Sequence, residues 1–148
     1  RNSRLSQHSF PDDIVYQYVL LLNHNKRNYQ DIYRAYYWAK LIKKEHVLRG
    51  LDDDLKNRIF GTIHVSQDEK SALLGSRKSA LILADNAATQ NRQAEEAYWM
   101  QIAVQNGERK EIPRLAQLLQ NSGSSEDQTR AKYWSSVWQK ESVTDSKP

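Results

Sequence analysis

The chain has 148 residues, 39% of them hydrophobic and 27% charged, which is enough to bury a core within one domain. It contains no cysteine, which excludes disulfides, thiolate metal sites and a cysteine nucleophile. The formal net charge is +4, and residues 1–50 hold nine Lys and Arg against four acidic residues. This basic end suits an acidic partner, phosphate or an anionic membrane surface, and it is equally typical of a solvated helix face.

Glycine, proline and helix-capping residues divide the sequence into seven predicted helices. In chain order, the first opens at Pro11–Asp13, and the others span about 31–45, 52–60, 66–84, 92–105, 108–120 and 126–141. The residues between them are predicted loops, and no strand pattern is present. We expect one helical-repeat domain over 12–141 with an insertion at about 46–65, and flexible ends over 1–11 and 142–148.

Particular residues fix several of these helix ends. The Asp52–Asp54 run predicts a helix start, because acidic side chains favour a helix N-terminus, and Gly50 then belongs to the preceding loop. Ser66 and Glu69 have the spacing of a capping box, which starts the long fourth helix. Pro113 is compatible with a helix only in its first turn.

Three stretches of the sequence repeat one pattern without a gap, and each ends in Tyr-Trp: 18–38, 79–99 and 114–134. A leucine lies sixteen residues before each tryptophan, which gives the structural repeat positions Leu22, Trp38, Leu83, Trp99, Leu118 and Trp134. A repeat of this size predicts a helical hairpin that buries its apolar face against its neighbours. The tryptophans are therefore predicted core residues. The tyrosines before them are predicted spacers between repeats: Tyr37, Tyr98 and Tyr133.

The stretch Ala94–Gly107 (AEEAYWMQIAVQNG) resembles the Sel-one-like repeat family, a branch of the tetratricopeptide-like helical solenoids. In that family a leucine-containing helix precedes a helix reading Ala-x-x-Trp-x-x-x-Ala and then Gly. Ala35–Trp38 and Ala131–Trp134 match the same position, whereas Glu96 replaces the alanine in the second copy. The resemblance implies an all-α fold, an α/α superhelix of stacked antiparallel helix pairs with an inserted short helix. It also implies a bacterial scaffold or adaptor in envelope, secretion or signalling systems.

The sequence carries no motif for catalysis or metal binding. A Gly-x-Ser-x-Gly elbow and a glycine-rich phosphate loop are both absent. The four histidines lie in separate segments without a partner three or four residues away: His8, His24, His46 and His64. We therefore predict a non-enzymatic protein–protein interaction scaffold that uses neither a cofactor nor a metal.

The partner-binding residues are predicted from helix geometry. With each tryptophan facing the core, a turn of about 100° per residue places the positions two and five residues after it on other faces. The candidate partner-binding residues are Tyr36, Lys40, Lys43, Gln101, Gln105 and Lys132. The expected partner is a protein, such as an acidic peptide or a component of a membrane complex.

Two alternatives stay open. Because the chain begins at Arg1 rather than Met, it is compatible with a membrane-anchored envelope accessory protein of a secretion or conjugation (entry-exclusion) system whose upstream anchor was removed. The second alternative is a weak nucleic-acid binder, since tyrosines that can stack on bases precede Lys40, Lys43 and Lys44. The same tyrosines suit helix packing, so the sequence favours a protein partner over nucleic acid. The compartment is open between periplasmic or membrane-associated and cytoplasmic.

Overall fold

The computed structural model describes residues 11–24, 28–56 and 65–146, with side chains as far as Glu141. Within these ranges the chain forms eight α-helices, a 3₁₀ turn at Arg109–Glu111 and no strand. The helices are α1 (Asp12–His24), α2 (Tyr29–Leu41), α3 (Glu45–Asp54), α4 (Gln67–Leu73), α5 (Arg77–Thr89), α6 (Gln93–Gln105), α7 (Ile112–Gln120) and α8 (Ser125–Ser146). The prediction of an all-α protein is confirmed.

Contacts between Cα atoms divide the chain into two compact units, residues 1–76 and 77–148. In the first unit α2 packs against α1, α3 and α4. In the second unit α6 packs against α5 and α7, and α7 packs against α8. Consecutive helices therefore form packed antiparallel pairs within each unit. A single repeat domain over 12–141 and a superhelical arrangement of its pairs stay predictions.

The repeat alignment identifies positions that form the core of each helix pair. All three repeat tryptophans are buried: Trp38, Trp99 and Trp134. The position nineteen residues before each tryptophan is fully buried as well: Val19, Ala80 and Leu115. The leucine position is less uniform, because Leu22 is buried whereas Leu83 and Leu118 are half-buried. In the second and third copies the next residue, Ala84 or Leu119, is buried instead.

The helices end in one recurring backbone conformation. A residue with positive φ follows each of α2, α4, α5, α6 and α7: Lys43, Gly75, Asn91, Gly107 and Gly123. After α4, the Ser76 N–H donates to the Ser71 carbonyl oxygen at 2.9 Å, and equivalent bonds follow α2, α5 and α6. This is the Schellman pattern, which satisfies carbonyl groups that have no partner inside the helix.

The predicted single helix over 66–84 is wrong, because two helices occupy this segment. The predicted start is confirmed: Ser66 Oγ accepts from the Glu69 N–H at 3.1 Å, and Glu69 Oε1 accepts from the Ser66 N–H at 3.2 Å. However, α4 ends at Leu73, and Gly75 has φ +114°. An L-residue rarely adopts that conformation, so Gly75 stops the helix before α5 begins.

The predicted start of the third helix is also wrong, and residues 57–60 of its predicted range lie outside the described residues. Instead of starting at Asp52, α3 starts at Glu45 and continues through Gly50, because Val47, Leu51 and Leu55 form a buried stripe at four-residue spacing. The Asp52–Asp54 run thus lies at the C-terminal end of α3, where the helix dipole disfavours acidic side chains. An ion pair between Asp52 and Lys56, at 3.0 Å, partly offsets this.

Other predicted boundaries differ less. The second predicted helix extended to Glu45, whereas α2 ends at Leu41. The predicted helix over 92–105 is confirmed as α6, and Pro113 lies in the first turn of α7, as its missing N–H requires. At the other end, α8 continues through Ser146, past its predicted end at Glu141. Residues 1–10, with most of the predicted flexible N-terminal segment, lie outside the described residues.

Candidate functional site

A surface rich in lysine and tyrosine forms in the first unit where α2 ends and α3 begins. We call it the cationic corner, and its members are Tyr16, Tyr36, Lys40, Lys43, Lys44 and His46. The Lys44 Nζ lies 4.7 Å from the centre of the Tyr16 ring, and the Lys40 Nζ lies 6.0 Å from that of Tyr36. The Tyr16 hydroxyl is 3.4 Å from Nε2 of His46. The contacts of Tyr16 join α1 to the start of α3, and the contact of Lys40 with Tyr36 lies within α2.

Aromatic rings restrict the lysines of the cationic corner. A cation over a ring at an exposed site is stabilised by about 0.5–1 kcal/mol, which limits the range of positions of Lys40 and Lys44. Acidic residues of α3 lie nearby, since Asp52, Asp53 and the Tyr36 hydroxyl are all close enough to Lys56 to act on its pKa. The hydrogen bond to Asp52, followed by the charge of that carboxylate, raises the pKa of Lys56. The cationic corner is thus bordered by an acid-rich helix end.

The prediction that Lys43 lies on the second helix, five residues after Trp38, is wrong. Because α2 ends at Leu41, Lys43 instead lies in the following turn with φ +58°. The turn leaves Lys43 exposed between Lys40 and Lys44.

A buried arginine lies beneath this part of the first unit and was not identified from the sequence. Arg34 is only 3% exposed, and its Nη1 donates to the Leu73 carbonyl oxygen at 3.3 Å. Its guanidinium carbon lies 5.0 Å from the centre of the Tyr37 ring and 5.5 Å from that of Trp38. Burial raises the pKa of the Tyr37 hydroxyl, and the charge of Arg34 opposes that shift. Arg34 therefore joins α2 to the end of α4 and has a packing role.

The second unit contains a groove of about 480 Å³ between α6, the end of α7 and the start of α8. We call it the amide groove. Its apolar lining comprises Ala94, Ala97, Leu118 and Leu119, together with the ring of Tyr98. Its polar lining comprises Gln93, Gln101, Asn121, Ser122, Asp127 and Arg130.

The structure separates the six predicted partner-binding residues. Tyr36 and Lys40 contact each other at the end of α2, Lys43 is exposed in the turn that follows, and Gln101 lines the amide groove. Gln105 is half-buried near the end of α6, and Lys132 is exposed on α8. Neither of these two residues lines the groove.

An ion-pair network accounts for the glutamate that replaces the repeat alanine. Arg114 Nη2 lies 2.9 Å from Oε2 of Glu96, and its Nη1 lies 3.0 Å from Oδ1 of Asp85. The Glu96 side chain is only 12% exposed, so its charge depends on this partner. Burial acts to lower the pKa of Arg114, but the hydrogen bonds to Glu96 and Asp85 outweigh it and raise that pKa. The network joins α5, α6 and α7.

The described residues contain no group of three His, Asp or Glu side chains arranged to hold a metal ion. In the same ranges no helix is both long and apolar enough to span a membrane. Comparison of the chain with models of known protein families, with curated proteins and with solved structures finds no significant match.

Proposed function

We propose that the protein is a non-enzymatic interaction scaffold built of Sel-one-like helical repeats, and that its cationic corner binds an acidic segment of a partner protein. The observation that carries this proposal is that Lys40, Lys43 and Lys44 lie within five residues at the junction of α2 and α3, with Lys40 and Lys44 each over a tyrosine ring. Lysines held over rings lose less side-chain freedom when they meet a carboxylate, so the surface is partly organised for an anionic partner.

The distribution of residues along the repeat supports a scaffold. Positions that pack are alike in the three copies, whereas positions that face outward differ in chemistry. The position two residues before the tryptophan carries Tyr36, Ala97 or Lys132, and the position two residues after it carries Lys40, Gln101 or Ser136. Variation of this kind alters the surface without altering the core, as expected for a protein whose faces bind different segments.

The test uses the full chain and a fluorescein-labelled peptide of four Glu-Gly repeats, with binding followed by fluorescence anisotropy. The variant Lys40→Glu/Lys43→Glu reverses two charges of the cationic corner and should weaken binding at least about tenfold. The matched control Lys78→Glu/Lys110→Glu makes the same change at exposed lysines of the second unit and should alter binding less than about twofold. Unchanged binding by the folded corner variant would contradict the proposal.

Nucleic acid is the second candidate, because the same rings and lysines could stack on bases and meet phosphates. An oligothymidine probe separates the two. For single-stranded nucleic acid, the logarithm of the affinity falls with the logarithm of the salt concentration by about 0.7 per phosphate contacted. The cationic corner would be assigned to nucleic acid if oligothymidine binds more tightly than the acidic peptide and its affinity falls with salt concentration in this way.

A further inference from the structure

The amide groove and the cationic corner use the same face of the repeat. In the alignment set by the Tyr-Trp pairs, Ala94 and Ala97 of α6 correspond to Tyr33 and Tyr36 of α2, and Gln101 corresponds to Lys40. In the first unit both positions carry tyrosine rings, of which Tyr33 is buried and Tyr36 is half-buried. In the second unit alanines occupy those two positions, and the amide groove is present there.

The lining of the amide groove favours an apolar ring flanked by polar groups. Its floor consists of alanine and leucine side chains, and beside it Tyr98 is 38% exposed. The Tyr98 ring meets that of its neighbour Trp99, which is buried, edge to face with centres 4.9 Å apart. Aromatic rings prefer such edge-to-face or offset arrangements, which a further ring could extend.

The polar lining of the groove is suited to uncharged groups. Asp127 and Arg130 pair with each other at 2.7 Å, so their charges offset one another. Gln101 is half-buried, and its side-chain amide has no hydrogen-bond partner among the described residues. Asn121 Oδ1 accepts from Gln117 at 3.2 Å, which leaves the Asn121 amino group to donate. A side-chain amide both donates and accepts, as does the main chain of a peptide.

We propose that the amide groove binds an aromatic side chain, tyrosine or phenylalanine, from an uncharged segment of a partner polypeptide. The ring packs on Ala94, Ala97 and Tyr98, where the first unit places its own tyrosines. The amides of Gln101 and Asn121 bind the main chain beside that ring. The volume of about 480 Å³ lies within the usual range for pockets that enclose small groups. This site is separate from the acidic-segment site of the first unit and goes beyond it.

The test follows the backbone amide resonances of the full ¹⁵N-labelled chain. The probe is the capped tripeptide acetyl-Gly-Tyr-Gly-amide, and acetyl-Gly-Ala-Gly-amide is its control. We expect saturable shifts from the tyrosine peptide that are confined to α6, the end of α7 and the start of α8. The alanine peptide should leave these resonances unshifted at equal concentration.

Variants that place a tyrosine ring of the chain itself in the amide groove should block binding of the peptide. Ala97→Tyr introduces the residue that the first copy carries and should weaken the response to the tyrosine peptide at least about tenfold. If that variant fails to fold, Ala94→Tyr makes the same change at an exposed position. Ser136→Tyr, at an exposed position of α8 outside the groove lining, is the control and should respond like the wild-type chain.

Three outcomes would overturn the proposal: the absence of a saturable response to the tyrosine peptide, an equal response to the alanine peptide, or an unchanged response in a folded tyrosine variant of the groove. An equal response to adenosine would show that the groove binds aromatic rings without selecting a polypeptide side chain, and this would also overturn the proposal. Because the test of the cationic corner alters Lys40 and Lys43 in the first unit, either proposal can fail without the other.

Discussion

The ring of Tyr37 lies directly against the backbone of Gly75. A Cβ atom on Gly75 would lie 2.9 Å from Cδ1 of Tyr37 and 3.2 Å from its Cζ, which is too close for ordinary packing. The φ of +114° at Gly75 independently disfavours any other residue. The first Tyr-Trp pair therefore depends on a glycine more than thirty residues away along the chain.

Gly75→Ala should lower the free energy of unfolding by about 2–4 kcal/mol, because it combines backbone strain with overpacking against the ring. The matched control is Gly107→Ala, where φ is +124° but the nearest atom to an added Cβ is an Arg77 side-chain nitrogen at 3.7 Å. That control should lose only the backbone contribution, about 1–2 kcal/mol. Urea unfolding measures the free energy of unfolding of the two variants. If both lose the same amount, the contact with Tyr37 does not contribute to the effect at Gly75.

Lys43→Gly should raise the free energy of unfolding by about 0.5–1 kcal/mol, because Lys43 has φ +58° and glycine removes the steric cost of that conformation. Asn91→Gly is the matched control, since Asn91 has φ +59° and asparagine tolerates this region better. Thermal or urea unfolding should show the smaller gain for Asn91→Gly. A loss of stability in Lys43→Gly would mean that the lysine side chain contributes more than its backbone strain costs.

Glu96→Ala should lower the free energy of unfolding by about 1–2 kcal/mol, because it leaves the partly buried Arg114 with fewer partners. This loss is expected although the variant carries the alanine of the other two copies. Glu95→Ala is the control, since Glu95 is exposed and its ion-pair partner among the described residues is the N-cap residue of α6, Arg92, at 3.2 Å. A double-mutant cycle with Arg114→Met isolates the coupling. Additive losses in that cycle would contradict a direct interaction.

Trp99→Ala should cost about 3–5 kcal/mol, the usual penalty for a large cavity in a core. Trp134→Ala should cost less, because α6 packs between α5 and α7 whereas α8 packs mainly against α7. Thermal melts of the two variants make the comparison. A larger loss for Trp134→Ala would contradict the order of packing within the second unit.

The unfolding free energy should fall in alkali, because burial raises the pKa of Tyr33 and Tyr37 above the ordinary value of 10.0. With the folded pKa above the unfolded one, the contribution is fully present below about pH 10 and is lost as the pH rises through the folded pKa. Tyr37→Phe keeps the ring but removes its ionisation, so its stability should fall less steeply. Parallel curves for the two proteins would contradict a buried Tyr37 hydroxyl.

The sequence predicted those parts of the fold that depend on local signals. The capping box at Ser66, the first-turn position of Pro113 and the helix over 92–105 depend on neighbouring residues, and all were predicted correctly. The errors came where packing outweighed a local signal. The buried stripe of Val47, Leu51 and Leu55 extends α3 through Gly50, against glycine's low helix propensity.

The candidate site was harder to predict, because side chains distant in sequence form it. The contact between Lys44 and Tyr16 joins two helices, and the groove around Gln101 requires α7 and α8. The burial of Arg34 is not predicted from the sequence, because a charged residue is normally exposed and the partners that explain its burial include a carbonyl distant in sequence, that of Leu73.

The first copy carries Tyr36 at the repeat position where the second carries Ala97. This difference bears on how the binding surfaces of a repeat protein can diverge between its copies. Under the proposal for the amide groove, a substitution at this position opens or fills a cavity while the buried tryptophan beside it keeps the helix packed. The proposal thus implies that each copy can acquire a ligand independently, and that altering two residues on a single helix reassigns one face.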